Sequence, residues 1–274
     1  MSDTAPQERP IPRLLSLVAG LADAPPGCAR IAFALAYGLL CHAIFAAAVL
    51  AMGWALWNGM TVSLGTVPWP WAALANAALL LQFPILHSAL LNGRGASLPA
   101  RAIPGPWGRT LASTSYTIFA SLQLLALFAL WTPSGVVWWR AEGWALWAVG
   151  AAHLASWLFL MKSNLDAGAE LQSGALGWMS LAQDRRPHYP DMPVTGLFRV
   201  IRQPIYVGFS AVLWTVPVWT PDQLVLALGL TAYCVIAPRR FKERRYLARH
   251  GERFARYLAT HPYMLPGRPG RKDL

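Results

Sequence analysis

Arg202-Gln203-Pro204-Ile205-Tyr206-Val207-Gly208 opens an apolar hairpin that runs from Phe209 to Ala237, and Phe241-Lys242-Glu243-Arg244-Arg245 follows it. Only Thr220-Pro221-Asp222-Gln223 interrupts the hairpin, and this tetrapeptide predicts a turn. A polar motif on each flank of a membrane hairpin places two groups of charges side by side at one face of the bilayer. A polar ligand can reach such a place from the water, and an apolar ligand can reach it from the lipid. The stretch therefore favours a membrane protein with a binding site over a passive anchor.

The composition of the 274 residues indicates an integral membrane protein. The chain is 55% hydrophobic and 13% charged, whereas a soluble domain carries about 25% charged residues. Its apolar runs are long enough for transmembrane helices, which need roughly 17–25 residues. These runs are Ile31–Trp57, Trp69–Leu91, Leu111–Trp131 and Gly143–Met161.

The two arms of the hairpin, Ile205–Trp219 and Leu224–Ala237, are shorter than the other runs. At about 1.5 Å per residue each arm reaches only ~21–23 Å, less than the ~30 Å hydrocarbon core. They are predicted to be thin spans or a re-entrant hairpin buried against the other helices. A basic amphipathic helix is predicted next, from about Arg239 to Leu258. We therefore predict an all-α, polytopic membrane protein with about six transmembrane helices, the last two a short hairpin, and a basic cytoplasmic C-terminal helix.

The distribution of charge predicts the topology. Of the 23 Lys and Arg residues, all but Arg140 lie in segments that these spans assign to one face. Because cytoplasmic loops carry the excess of Lys and Arg, both termini and the polar motifs are predicted to be cytoplasmic, in a multi-pass protein of the cell inner membrane. The net charge of +11 reflects this bias and an attraction to anionic lipid, and no base-reading motif indicates nucleic acid. The expected partners are the bilayer and a small or lipophilic molecule, and the oligomeric state stays open.

Three regions are predicted along the chain. Residues 1–30 are polar and rich in proline, which predicts a flexible cytoplasmic tail. Residues 31–161 are predicted to form a four-helix membrane region. Residues 162–274 carry the polar motifs and begin with a cytoplasmic loop of roughly 40 residues, Lys162–Phe198, a length that is usually functional or disordered.

The heptapeptide at 202–208 has the residue types that hold a polar ligand. Arg202 can pair with a carboxylate through two N–H groups, and Pro204 suits the first turn of a helix whose free N–H groups attract anions. Tyr206 offers an aromatic face, and Gly208 lets a ligand approach the backbone. A single arginine at this depth would be interpreted as snorkelling to the interface, but the complete heptapeptide favours a site.

Other ionisable residues have two interpretations each. Glu243 is either a counter-ion within its basic run or a carboxylate that accepts hydrogen bonds from the hydroxyls or amine of a ligand. His42, His87 and His153 lie in or near the spans, where ionisable groups are candidates for function. They are either haem ligands or neutral side chains hydrogen-bonded between helices, and His87, at the cytoplasmic end of its span, is the best placed. The three cysteines have no metal-type spacing, and no metal site is predicted.

The motifs together resemble the membrane methyltransferase superfamily that includes isoprenylcysteine carboxyl methyltransferases, phospholipid methyltransferases and methanethiol S-methyltransferases. That group carries an Arg-His-Pro-x-Tyr-x-Gly motif, a hairpin, a Glu-Glu pair on a basic helix and a Gly-x-x-(aromatic)-x-x-Tyr tail. The matches here are residues 202–208, Glu243, and Gly251 to Tyr257. The likeness is closest to the methanethiol S-methyltransferase and NnrU-like branch, and it extends upstream through Leu86-His87-Ser88.

The resemblance implies a methyltransferase that uses S-adenosylmethionine and acts on a thiol such as methanethiol or on another small or lipophilic acceptor. It implies catalytic roles for Arg202, Gln203 and Glu243, and it makes His87, Arg244 and Arg245 weaker candidates for the acceptor side. The residues that it implies for cofactor binding are Arg202, Gln203, Pro204, Tyr206, Gly208 and Glu243.

Two positions depart from the pattern of the group. Gln203 stands where the group has His, and Lys242 stands where it has the first Glu. Gln keeps a hydrogen-bond donor and an acceptor but cannot become cationic, and Lys242 reverses a charge. Two other functions stay open: a non-enzymatic, NnrU-like membrane factor associated with haem or a respiratory complex, and a membrane reductase of related architecture that uses a nicotinamide cofactor.

Overall fold

The computed structural model describes residues 10–267, and this part of the chain is mostly helical, with two short strands. Within it, five helices are long and apolar enough to cross a membrane, and two further apolar helices, Pro10–Ala19 and Pro204–Trp214, are shorter. The predicted all-α, polytopic class is therefore confirmed. The helices are α1 (Pro10–Ala19), α2 (Cys28–Trp57), α3 (Trp71–Ala89), α4 (Leu98–Arg101), α5 (Ala112–Leu130), α6 (Gly143–Asp166), α7 (Ala169–Gln172), α8 (Ala175–Ala182), α9 (Pro204–Trp214), α10 (Pro221–Ala237), α11 (Glu243–His250) and α12 (Glu252–Thr260); the strands are β1 (Trp139–Arg140) and β2 (Val218–Trp219).

The long helices pack around one apolar core. Leu56 of α2, Leu127 of α5, Leu213 of α9 and Leu226 of α10 are fully buried within it. The outward faces of the spans are also apolar, and Trp144 on α6 is 83% exposed. Apolar side chains on both the inner and the outer face are typical of helices surrounded by lipid.

Helix α9 lies directly on α6 because Gly208 has no side chain. A methyl group at Gly208 would lie 2.9 Å from Leu160 Cα and 3.1 Å from Leu160 N. These are backbone atoms, which cannot rotate away as a flexible side chain can. The close contact sets the position of the N-terminal end of α9, where the polar heptapeptide begins.

The opposite end of the hairpin is tied to neighbouring segments by a second set of hydrogen bonds. The buried carboxylate of Asp222 accepts hydrogen bonds from Trp131 Nε1 at 3.0 Å and from the Ser134 backbone N–H at 2.9 Å. The Thr220 hydroxyl caps α10 by accepting a bond from the Gln223 N–H at 2.9 Å. The strands β1 and β2 pair antiparallel beside this turn. We call the bonds to the Asp222 carboxylate the Asp222 staple.

The second arm of the hairpin is longer than predicted. Helix α10 continues through a π-helical turn, Pro238–Lys242, into α11, so that one helix of 30 residues runs from Pro221 to His250. Its length is about 45 Å, enough to leave the hydrocarbon core. The predicted arm, Leu224–Ala237, was too short because the end of an apolar run marks only where a helix leaves the lipid. The basic residues that follow are good helix formers and extend the helix further. The helix ends at Gly251, whose φ is 52°, so the basic helix predicted from Arg239 to Leu258 is in fact two helices.

Two segments that were predicted to be irregular contain helices. Residues 10–19 of the predicted tail form α1, whose Arg13 Nε lies 2.9 Å from the fully buried carboxylate of Glu170; residues 1–9 lie outside the described part of the chain. In the predicted loop Lys162–Phe198, α6 continues to Asp166, and α7 and α8 follow. Helix α8 is apolar and packs against α2 and α5, so its burial stabilises helical structure where the sequence shows only a short apolar run.

Candidate active site

Arg202 is the centre of the candidate site. Its side chain is 1% exposed, and it precedes α9 at the end of the chain segment that follows α8. Its Nε donates to Glu243 Oε1 at 3.1 Å, and its Nη1 donates to the carbonyl oxygens of Leu258 at 2.9 Å and His261 at 2.8 Å. A buried guanidinium needs such acceptors because its charge is otherwise costly to remove from water. Arg202 therefore joins α9, α11 and the chain after α12 in one place.

Gln203 connects Lys242, the last residue of the π-helical turn, to Glu243, the first residue of α11. Its Nε2 donates to Glu243 Oε1 at 2.9 Å, and its Oε1 accepts from Lys242 Nζ at 3.0 Å. The neighbours determine this orientation, since the reversed amide would face an ammonium with its NH2 group and a carboxylate with its oxygen. The two departures from the group's pattern, Gln203 and Lys242, are thus hydrogen-bonded to each other.

Aromatic rings surround the ammonium of Lys242. Its Nζ lies 5.6 Å from the ring centroid of Phe198, 5.4 Å from that of Tyr206 and 5.8 Å from that of Tyr246. Each distance is within the ~6 Å over which a cation and a ring attract. We call these three rings the aromatic cage. A small adjoining cavity of about 10 Å³ is lined by the following residues: Met192, Pro193, Phe198, Arg202, Gln203, Lys242, Tyr246, Phe254 and Tyr257.

The C-terminal segment covers the site, and the candidate list from the sequence did not include it. The backbone N–H groups of Arg202 and Gln203 donate to the carbonyl oxygens of Pro262 at 2.9 Å and Tyr263 at 3.2 Å. The Tyr257 hydroxyl donates to the Phe198 carbonyl at 2.6 Å. The signal for this contact was the Gly-x-x-(aromatic)-x-x-Tyr tail, which contains Tyr257 but does not identify its partner.

Asp191 holds α12 from the other side. It forms an ion pair with Arg253, and its carboxylate accepts a hydrogen bond from the Met192 N–H at 2.8 Å. Partial burial opposes ionisation of Asp191, but these two interactions and nearby His250 outweigh it, so the pKa of the carboxyl lies below its ordinary value. Asp191 therefore favours the docked position of α12 in its ionised form.

The remaining candidates lie in three different places. Pro204 is the first residue of α9, as predicted, and Gly208 packs closely on Leu160 of α6. Arg244 is exposed. Arg245 donates to Asn92 Oδ1 at 2.8 Å.

His87 belongs to a second polar cluster inside the bundle. Its Nε2 lies 2.9 Å from the Tyr116 hydroxyl, and the neighbouring Ser88 hydroxyl lies 3.1 Å from that of Tyr233. The charge of Arg245 interacts with His87 and with both tyrosines. We call this set the His87 cluster. The other two histidines of the spans, His42 and His153, each accept a hydrogen bond from a tryptophan side chain.

The fold and the site together define a class: a polytopic, all-α membrane protein whose last hairpin holds a buried Arg, Gln, Lys and Glu network at one end. The chain is similar to methanethiol S-methyltransferases over most of its length, so the predicted resemblance is confirmed. The chain is 27% identical over 242 residues to that of Pseudomonas sp. (strain GM41(2012)), covering 85% of this chain and 90% of the relative. It is 28% identical over 204 residues to that of Mycobacterium tuberculosis, covering 71% of this chain and 78% of the relative.

A second kind of relative has a different name. The chain is 31% identical over 176 residues to Nurim of Rattus norvegicus, covering 61% of this chain and 65% of the relative. No family model and no solved structure matches the chain.

Proposed function

We propose that this protein is an integral membrane methyltransferase that uses S-adenosylmethionine to methylate a small thiol of the methanethiol type. The observation that carries the proposal is the similarity to methanethiol S-methyltransferases along 85% of the chain. It is supported by the packing that gathers Arg202, Gln203 and Glu243, which are separated by about 40 residues, into one hydrogen-bonded group.

The residues of the site fit this cofactor in chemical type. Aromatic faces suit a sulfonium cation, and the carboxylate of Glu243 suits an amine or hydroxyl donor. The cavity of about 10 Å³ has room for roughly one water molecule, far less than the ~300 Å³ at the lower end of ligand pockets. Residues of α11 and α12 line it, so these helices must shift for the complete cofactor to enter.

The chain's own residues would then position and desolvate the reactants. When bound, S-adenosylmethionine supplies a methyl group on a positively charged sulfur. Arg202 orients the Glu243 carboxylate, and Gln203 donates to the same carboxylate oxygen. The segment at 257–263 closes the site against water. Alignment and exclusion of water are the contributions that such a reaction needs from the protein, since the cofactor carries the reactive group.

The acceptor is proposed to bind at the His87 cluster. This cluster lies inside the bundle, where an apolar thiol arrives from the lipid. Tyr206 belongs to the cage and also interacts with Tyr233 of the cluster. A thiol reacts as its thiolate, and a nearby cation lowers the pKa of a thiol. Arg245 supplies that cation. The exposed Arg244 is given no role.

The same proposal includes the location of the site. The five membrane-spanning helices make the protein multi-pass, and the bias of Lys and Arg places the site and both termini on the cytoplasmic side of the inner membrane. We retain residues 31–161 as a membrane support and residues 162–274 as the region that carries the reaction. S-adenosylmethionine would enter from the cytoplasm.

Calorimetric titration of the detergent-purified protein with S-adenosylhomocysteine tests the cofactor, and headspace gas chromatography of methylated methanethiol tests the reaction. We expect saturable one-site binding and a thioether product. No binding at millimolar ligand by folded protein would overturn the proposal.

Arg245→Gln tests the acceptor side, with Arg249→Gln, an exposed change on the same helix, as its matched control. We expect Arg245→Gln to raise KM for the thiol about tenfold, the effect of ~1.4 kcal/mol, and to move the pH profile upward while S-adenosylhomocysteine binding stays unchanged. Equal kinetics in the two variants would remove Arg245 from the acceptor site.

A further inference from the structure

The aromatic cage has the composition of a cation site. Phe198 comes from the segment before α9, Tyr206 from α9 and Tyr246 from α11, so three separate segments bring one ring each. Rings gathered in this way attract ammonium and sulfonium groups through their negative faces. Tertiary packing, and not local sequence, therefore forms a site for one positive charge.

The chain places its own cation there. Arg240 and Arg244, two residues on either side, are exposed, whereas Lys242 is partly buried with its ammonium toward the rings. Its ammonium donates a hydrogen bond to the neutral Gln203 Oε1 at 3.0 Å. The carboxylate of the next residue, Glu243, is engaged by Arg202 and Gln203. Attraction to the three rings therefore compensates for much of the hydration that this ammonium loses on burial.

We propose that the Phe198, Tyr206 and Tyr246 cage is the binding site for the sulfonium of a ligand, and that the ammonium of Lys242 fills it until such a ligand displaces it. The inference rests on the proposed function for the identity of the sulfonium. Lys242 then acts as an internal competitor for the cation. Two positive charges within about 5 Å repel strongly at the dielectric of a partly buried site, so they do not share the cage.

A pair of ligands that differ by one methyl group, and therefore in the charge at sulfur, tests this effect. S-adenosylmethionine carries a sulfonium, and S-adenosylhomocysteine carries a neutral thioether in the same skeleton without the methyl group. The wild-type protein should bind the neutral thioether at least about tenfold more tightly than the sulfonium. Lys242→Met keeps the length and apolar stem of the side chain but removes the charge. It should reduce this preference by about tenfold or more, mainly through tighter binding of the sulfonium.

The experiment is calorimetric titration of both ligands into wild type, Lys242→Met, Lys242→Gln and Arg240→Met. Arg240→Met removes one positive charge from the same π-helical turn at an exposed position, so it controls for the general loss of charge. Circular dichroism and size-exclusion profiles establish that each variant is folded. The full-length protein is used throughout.

The outcomes separate this inference from the proposed function. A change of preference in both Lys242 variants, and not in Arg240→Met, supports the internal cation. If neither adenosyl ligand binds any variant, the proposed function is overturned, and trimethylsulfonium is titrated next. Binding of trimethylsulfonium to Lys242→Met but not to wild type would still support the cage as a cation site. An unchanged preference in the folded Lys242 variants overturns the inference, as does the absence of any cation binding.

Discussion

Glu243→Gln tests the hydrogen-bonded centre of the site with the smallest available change. The substitution keeps the size of the side chain and an oxygen acceptor but removes the negative charge. Two donors, Arg202 Nε at 3.1 Å and Gln203 Nε2 at 2.9 Å, end on the same oxygen of Glu243. The variant therefore weakens both bonds without opening a cavity.

The size of the effect follows from the charge on the acceptor. A hydrogen bond to a charged group contributes about 1.5–3 kcal/mol, and one between neutral groups contributes about 0.5–1.5 kcal/mol. If the amide oxygen keeps both donors, each bond loses ~1 kcal/mol, so the site loses ~2 kcal/mol in total. That free energy corresponds to roughly a 30-fold larger equilibrium constant for local opening.

Two backbone amides report this opening directly. The N–H groups of Arg202 and Gln203 precede α9 and bond to the carbonyl oxygens of Pro262 and Tyr263, so they are protected only while the C-terminal segment stays in place. Hydrogen exchange with mass spectrometry, on protein in lipid nanodiscs, should show about 30-fold faster exchange in the peptide that contains them.

Glu252→Gln is the matched control, because it makes the same chemical change at an exposed position of α12. We expect its exchange to equal that of wild type. Equal exchange in Glu243→Gln and Glu252→Gln would refute the reasoning, since the Glu243 carboxylate would then contribute nothing to closure of the site. Faster exchange over all the helices would also refute it, because the effect would be global.

Three other changes test the support of the site. Gly208→Ala places a methyl group against the Leu160 backbone, so it should lower the free energy of unfolding by about 1–3 kcal/mol. The variant should then unfold at a lower SDS fraction than wild type, and unchanged unfolding would mean that α9 and α6 are not in close contact. Asp222→Asn breaks part of the Asp222 staple and should cost about 2 kcal/mol in the same assay without changing affinity for S-adenosylhomocysteine, whereas a parallel loss of affinity would show that the two ends are coupled. The lowered pKa of Asp191 means that its stabilising effect is present above the unfolded value of about 3.9 and is lost as the pH falls through the folded value. Peptic cleavage of α12 near Phe254 should therefore rise below about pH 4 in wild type, and a similar rise in Asp191→Asn would contradict this.

Much of the architecture could be predicted because hydropathy is a local property. A residue's transfer from water to lipid does not depend on its tertiary partners, so the apolar runs identified the spans, and the heptapeptide at 202–208 identified the residues around which the site forms. The same local rule failed at helix ends. The helix that begins at Pro221 passes out of the apolar run and stops only at Gly251, because a positive φ and not a charge ends it.

What the sequence by itself determined is the class of protein, the order of its spans and the candidates Arg202, Gln203 and Glu243. Only the tertiary structure decided their partners. It joined Gln203 to Lys242, placed the Leu258 and His261 carbonyls on Arg202, and packed Gly208 against α6. The physical reason is that a hydrogen bond or a ring contact depends on distances of a few ångströms between segments about 40 to 60 residues apart. Those distances are set by helix packing, which no local pattern of residues encodes.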